Sequence, residues 1–159
     1  LRNPDVLILM RALFELDRLS DCARAARRYL TAVPRDPVGY TMLGRTLARQ
    51  QKHARARVQV DRLEKLTPGD PTVILAKARI ALSRRRHDQA IRLFRCALVV
   101  RPGDGLGTFD LARGLWKLER FADAERAMLA AAWIDPAFGI RNTVLRLSAT
   151  DRDFKARSP

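Results

Sequence analysis

Acidic side chains, aromatic rings and cysteine are all scarce in this sequence. Only 17 aspartates and glutamates stand against 31 lysines and arginines, giving a formal net charge of +14. That imbalance favours acidic partners: an acidic peptide, a nucleic acid, or an anionic surface or polymer. It also suits a solubilising surface, and the skew toward arginine, with five lysines in all, fits either role. Aromatic residues make up 6% of the chain and none neighbours its densest basic run, which weakens nucleic-acid readings that need rings for base stacking. No apolar run reaches 18 residues, which excludes a membrane-spanning helix. His53 and His87 have no third ligand beside them, so no zinc site is expected. No nucleophile–base constellation stands out, and neither catalysis nor a cofactor is expected. Gly103-Asp104-Gly105-Leu106-Gly107 imitates a phosphate loop, but it follows a helix and a proline instead of a strand, and reads as a turn. The first residue is Leu1, so the chain reads as processed or excised, and the lack of a leader decides nothing.

What is abundant is periodicity. Arg11, Arg45, Arg79 and Arg113 recur every 34 residues, as do Pro34, Pro68, Pro102 and Pro136. A fixed period of this length signals stacked repeats. In register the repeats are 3–36, 37–70, 71–104 and 105–138. Position 20 is always small (Cys22, Ala56, Ala90, Ala124), and position 8 mostly so (Met10, Gly44, Ala78, Ala112). Small residues let two helices approach, and larger apolar ones fill the space beside them. Asn3-Pro4, Asp36-Pro37 and Asp70-Pro71 each join a capping side chain to a proline suited to the first turn. Apolar residues between the breaks recur at helical spacing. These signals predict paired helices near 4–17 and 20–33, 37–50 and 53–66, 71–84 and 87–100, and 105–118 and 121–134. A ninth helix, near 138–149, carries Ile140, Val144 and Leu147 on one face and suits a cap on the last repeat; residues 150–159 read as a polar tail. Cys22 and Cys96 fall two repeats apart, too far for a disulfide, whose Cα atoms lie within about 7 Å. Two unpaired thiols favour a reducing compartment such as the cytoplasm.

The small-residue pair at positions 8 and 20, with proline at position 32, resembles the tetratricopeptide repeat family over residues 3–138. The resemblance implies an all-α, right-handed α-solenoid of helical hairpins in one domain, 3–149, with the C-terminal helix as its cap. It departs from the family at position 4, often aromatic but here Val6, Tyr40, Ile74 and Thr108, and at position 7, where Lys77 must snorkel or leave its hairpin loosely packed.

The resemblance also implies a concave groove lined by the first helix of each repeat. The arginine ladder falls at position 9 of that groove. Beside it lie Leu7, Ile8, Thr41, Met42, Leu75, Phe109, Asp110 and Trp116, with Arg49 and Lys117 adding charge. Guanidinium groups in this setting bind carboxylates or peptide carbonyls. The competing reading is internal pairing, with Asp110 three residues before Arg113. Position 9 lacks asparagine and position 5 lacks lysine, so the family's C-terminal-carboxylate clamp is not expected. Lys52, Arg84, Arg85 and Arg86 form a basic rim at the hairpin turns, read first as a solvated edge and second as an anion-docking one. The expected function is a non-catalytic scaffold that binds an acidic or amphipathic peptide segment of a partner protein. The rivals are a binder of RNA or acidic polysaccharide, the repeat arm of a larger enzyme, and a small secretion chaperone.

Overall fold

The computed structural model describes residues 4–136. The expected capping helix and polar tail, and the capping residue Asn3, lie outside the described residues. The elements are α1 (Pro4–Glu15), α2 (Leu19–Ala32), α3 (Pro37–Arg49), α4 (His53–Leu66), α5 (Pro71–Ser83), α6 (His87–Val100), α7 (Gly105–Lys117) and α8 (Phe121–Ile134). No strand occurs among the described residues, and every helix boundary falls within two residues of its expected place. The fold is an all-α helical-repeat solenoid. The chain divides into two compact units, residues 1–97 and 98–159.

Each first helix from the second repeat onward starts where an aspartate turns back onto the backbone. Asp36 accepts from Val38 N at 2.9 Å, Asp70 from Thr72 N at 2.7 Å and Asp104 from Gly107 N at 2.8 Å. Each satisfies one N–H that the first helical turn leaves without a partner. The Gly-rich segment around Asp104 is thus an inter-repeat turn and a helix cap.

Every first helix stops by the same device. Asp17, Gln51, Arg85 and Glu119 have φ of 59°, 62°, 59° and 58°. Each lies in the left-handed region, and the four are spaced by one repeat. The residue after each donates back to the last turn: Arg18 N to Leu13 O, Lys52 N to Leu47 O, Arg86 N to Ala81 O and Arg120 N to Leu115 O, at 2.9–3.1 Å. This is the Schellman ending, in which one left-handed residue closes the free carbonyls of the helix. Glycine usually fills that place, and here none does.

The small-residue pair sets how closely the two helices of a hairpin pack. Met10 and Cys22, Gly44 and Ala56, Ala78 and Ala90, and Ala112 and Ala124 are all buried. In the first hairpin, Cys22 Sγ donates to Met10 O at 3.3 Å and lies 3.2 Å from Thr46 Oγ1. Burial pushes this thiol up from its ordinary pKa, which keeps it protonated. In the first unit the core joins Leu13, Phe14, Ala26, Tyr29, Leu43 and Leu47 to these residues. A second cluster sets Val60 and Leu63 against Val73 and Ala76. In the second unit, Phe109 packs on Ala131 with Leu106 beside them. Lys77 snorkels: it is exposed and pairs with Glu64 at 2.7 Å.

Candidate functional site

In the first unit α3 packs against both α1 and α5, so residues at one register of the first helices belong to neighbouring helices. Arg11 is exposed, Arg45 half-buried and Arg79 9% exposed. Burial makes Arg79 part of the helix packing. Leu75 and Phe109, next to the ladder in register, are buried as well. Leu7 and Met42 are half-buried, whereas Ile8 is exposed. Thr41 gives its hydroxyl to Pro37 O at 2.9 Å, inside its own helix.

The most organised part of this face is built on Phe14. The ring is buried, and two guanidinium groups of α3 lie against it, Arg45 with Cζ at 4.1 Å and Arg49 at 5.0 Å from the centroid. Arg49 also reaches Asp17 Oδ1 at 3.1 Å and the Phe14 carbonyl oxygen at 3.5 Å. Stacking suits arginine: the planar ion lays its face on the ring and keeps its N–H edges for acceptors. Phe14 and Asp17 carry no signal of this role when repeats are compared at one position. The contact runs from position 12 of one repeat to positions 9 and 13 of the next, so it shows when neighbouring repeats are read together.

In the second unit, Asp110 is buried and pairs with Arg113 at 3.1 Å. The internal pairing weighed in the sequence is present at this rung. Trp116 sits edge-on to Phe121, with ring centroids 4.8 Å apart, and Lys117 is exposed. Lys52, Arg84, Arg85 and Arg86 lie at hairpin turns, with Arg85 as the left-handed residue of its turn. Lys52, Arg84, Arg85 and Arg86 are all exposed there. His53 Nδ1 and Ser83 Oγ share a hydrogen bond at 3.2 Å. Among the described residues no group of three or more His, Cys, Asp or Glu side chains could hold a metal ion, and no helix is long and apolar enough to cross a membrane.

A Tetratricopeptide repeat profile matches residues 11–71 and 75–137. Among solved structures, TTC0263, a thermophilic TPR protein of Thermus thermophilus, aligns with a TM-score of 0.69 at 17% identity, covering 92% of this chain and 82% of that one. MamA of Desulfovibrio magneticus RS-1, from its residue 41 to the end, aligns with a TM-score of 0.51 at 16% identity over 98% of both chains. At such identities these likenesses speak for the fold alone. No curated protein matches the sequence. The profile spans both units, and its hairpins are the ones described above with their buried pairs at positions 8 and 20: the chain belongs to the tetratricopeptide repeat family.

Proposed function

We propose that this chain is a non-catalytic scaffold that holds an acidic or amphipathic peptide segment of a partner protein on the first-helix face. Protein interaction is the general property of tetratricopeptide repeat domains, and it comes with family membership. The finer reading rests on one observation, the stacking of Arg45 and Arg49 over Phe14. A guanidinium held flat on a ring has already lost much of its rotamer freedom, so less is lost when a carboxylate or a peptide carbonyl arrives. Arg11 adds exposed charge, and Ile8, Leu7 and Met42 add an apolar strip for the non-polar side of the segment. Arg113, Lys117 and Trp116 are the candidate contacts of the second unit. The buried Arg79, Leu75, Phe109 and Asp110 take part as scaffold.

The test is capture from nuclease-treated lysate of the source cell, comparing the unaltered chain with a variant carrying Ala at Arg11, Arg45 and Arg49. A discrete protein retained by the first and lost by the second, with helicity unchanged, is the expected result. Equal capture by both would remove the site from this face. Capture abolished by nuclease would turn the reading to an anionic polymer, for which the net charge and the rim arginines speak.

A further inference from the structure

Arg27 and Arg55 lie outside the first-helix face and line a cleft within the first unit. The cleft measures about 480 Å³ and is bounded by Arg27 of α2, Leu43 and Leu47 of α3, and Arg55, Val58 and Gln59 of α4. Small-molecule sites commonly span about 300–1,000 Å³ and combine an apolar lining with a few convergent polar groups. Both kinds of group are present. Leu43 and Leu47 are buried and make the floor, while Val58 is 47% exposed on the wall. Arg27 and Arg55 are exposed, and neither guanidinium has an ion pair among the described residues. Several other arginines do find carboxylates: Arg18 and Arg24 share Asp21, and Arg120 and Arg126 share Asp123. Gln59 supplies the remaining polar group. Its Nε2 donates to Arg55 O at 3.5 Å, and its Oε1 is buried with no donor. Turned toward the cleft, that amide would regain a hydrogen bond from a ligand.

The arrangement is no by-product of repetition. One repeat further on, the same register holds Asp61, Lys77, Ala81, Gln89, Arg92 and Leu93. There the two arginines have become aspartate and glutamine, and the floor has gained a lysine. Cation pair and apolar floor coincide at the junction of the first two repeats and not at the next.

We infer that this cleft binds a small free acid, a carboxylate carried on a short aliphatic chain. Arg27 and Arg55 take the head, and the exposed Val58 covers the stem above the buried Leu43 and Leu47. A guanidinium fork matches a carboxylate in shape and charge. The apolar floor rewards a hydrocarbon stem, which an inorganic anion lacks. An alkylammonium of equal length would be repelled by both arginines. This inference is independent of the first-helix reading, and the two sites share no residue.

The test is an NMR titration of the chain with octanoate below its aggregation range, beside acetate, octylammonium and inorganic phosphate. Octanoate should produce saturable shifts confined to α2, α3 and α4, with affinity at least about tenfold above each control. The Arg27→Gln, Arg55→Gln double variant should lose about tenfold in octanoate affinity, with circular dichroism confirming that both exposed substitutions leave the helices intact. Val58→Ser should weaken octanoate and leave acetate alone. The variant with Ala at Arg11, Arg45 and Arg49 should bind octanoate as before, so failure of the first-helix reading would leave this site standing. Equal affinity for acetate or phosphate would overturn the proposal, as would full octanoate binding by the double variant or shifts spread over the surface without saturation. Displacement of octanoate by an acidic peptide that itself binds at least about tenfold more tightly there would assign the cleft to a protein ligand and overturn the small acid.

Discussion

The guanidinium carbon of Arg45 stands 4.1 Å from the centroid of the Phe14 ring, one repeat away in sequence. The ring is itself core, packed with Met10, Leu13 and Leu47. One side chain therefore serves the packing of two repeats and fixes a cation on the face where a ligand is proposed. Stability and side-chain position must then be coupled. Arg45→Ala should cost about 0.5–1 kcal/mol, and Arg45→Lys should restore little of it, because an ammonium lacks the planar face. Urea unfolding of Arg45→Ala, Phe14→Leu and the double variant should give a coupling energy of about 0.5–1 kcal/mol. Strict additivity would show that the contact carries no energy.

The four left-handed turn residues are a reserve of stability. Gln51→Gly should raise stability by about 1 kcal/mol, since it removes the Cβ crowding of a left-handed residue. Gln51→Val should lower it by at least as much, because a branched Cβ tolerates positive φ poorly. The control is Gln50→Gly. Gln50 has φ −75°, so glycine there gains nothing and should destabilise. Thermal melts of the three variants decide the matter.

Tyr29 donates its hydroxyl to Asp36 Oδ2, while Asp36 Oδ1 caps α3 through Val38 N. Asp36→Ala should therefore exceed an ordinary cap deletion, at about 2–3 kcal/mol against about 1 kcal/mol. Tyr29→Phe should cost less, about 1 kcal/mol, because it removes the hydroxyl donor and leaves the cap in place. Denaturant midpoints that rank the two variants in the reverse order would disprove the link.

Asp21 and Asp123 should shape the acid limb of stability. Hydrogen bonds from Arg18 and then Arg24 hold the Asp21 carboxyl below its ordinary value of 3.8, and those from Arg126 and then Arg120 do so for Asp123. A carboxyl with a depressed folded pKa contributes stability above its unfolded pKa and loses it as pH falls through the folded one. The contribution should be whole at neutral pH, decline as pH falls past the ordinary value of 3.8 and vanish only below the depressed folded value. The Asp21→Asn, Asp123→Asn variant should be less stable than the parent at pH about 6 and match it at the acid end. A constant gap across the range would place the effect elsewhere. Added salt should narrow the gap, because these pairs lie at the surface.

Gly44 is the one glycine at position 8. A Cβ there would meet Gln59 Cβ at 3.6 Å, Val60 Cγ2 at 3.7 Å and Ala56 O at 3.8 Å, all ordinary contacts. Gly44→Ala should stabilise the chain by up to about 1 kcal/mol through helix propensity. A lower melting temperature would show that α3 and α4 need a closer approach than these distances imply.

The sequence by itself determined the repeat, the helix starts and the pairs that set helix spacing. Each depends on local chemistry or on a position repeated in phase: Asp36 and Asp70 before prolines, and alanine at positions 56, 90 and 124. Asp104 falls in the same phase, but with no proline after it and glycines around it the cap is masked by the likeness to a different motif. The left-handed endings at Asp17, Gln51, Arg85 and Glu119 were not legible, because the usual glycine mark is missing and hydrogen bonds of the preceding helix impose the conformation. Nor could the sequence sort the ladder. Four arginines share one register, yet Arg11 is exposed, Arg45 stacks on Phe14, Arg79 is buried and Arg113 is paired with Asp110. Periodicity assigns a residue to a face of its helix. What that residue touches depends on side chains of the neighbouring helix, which differ from repeat to repeat, and packing alone decides it.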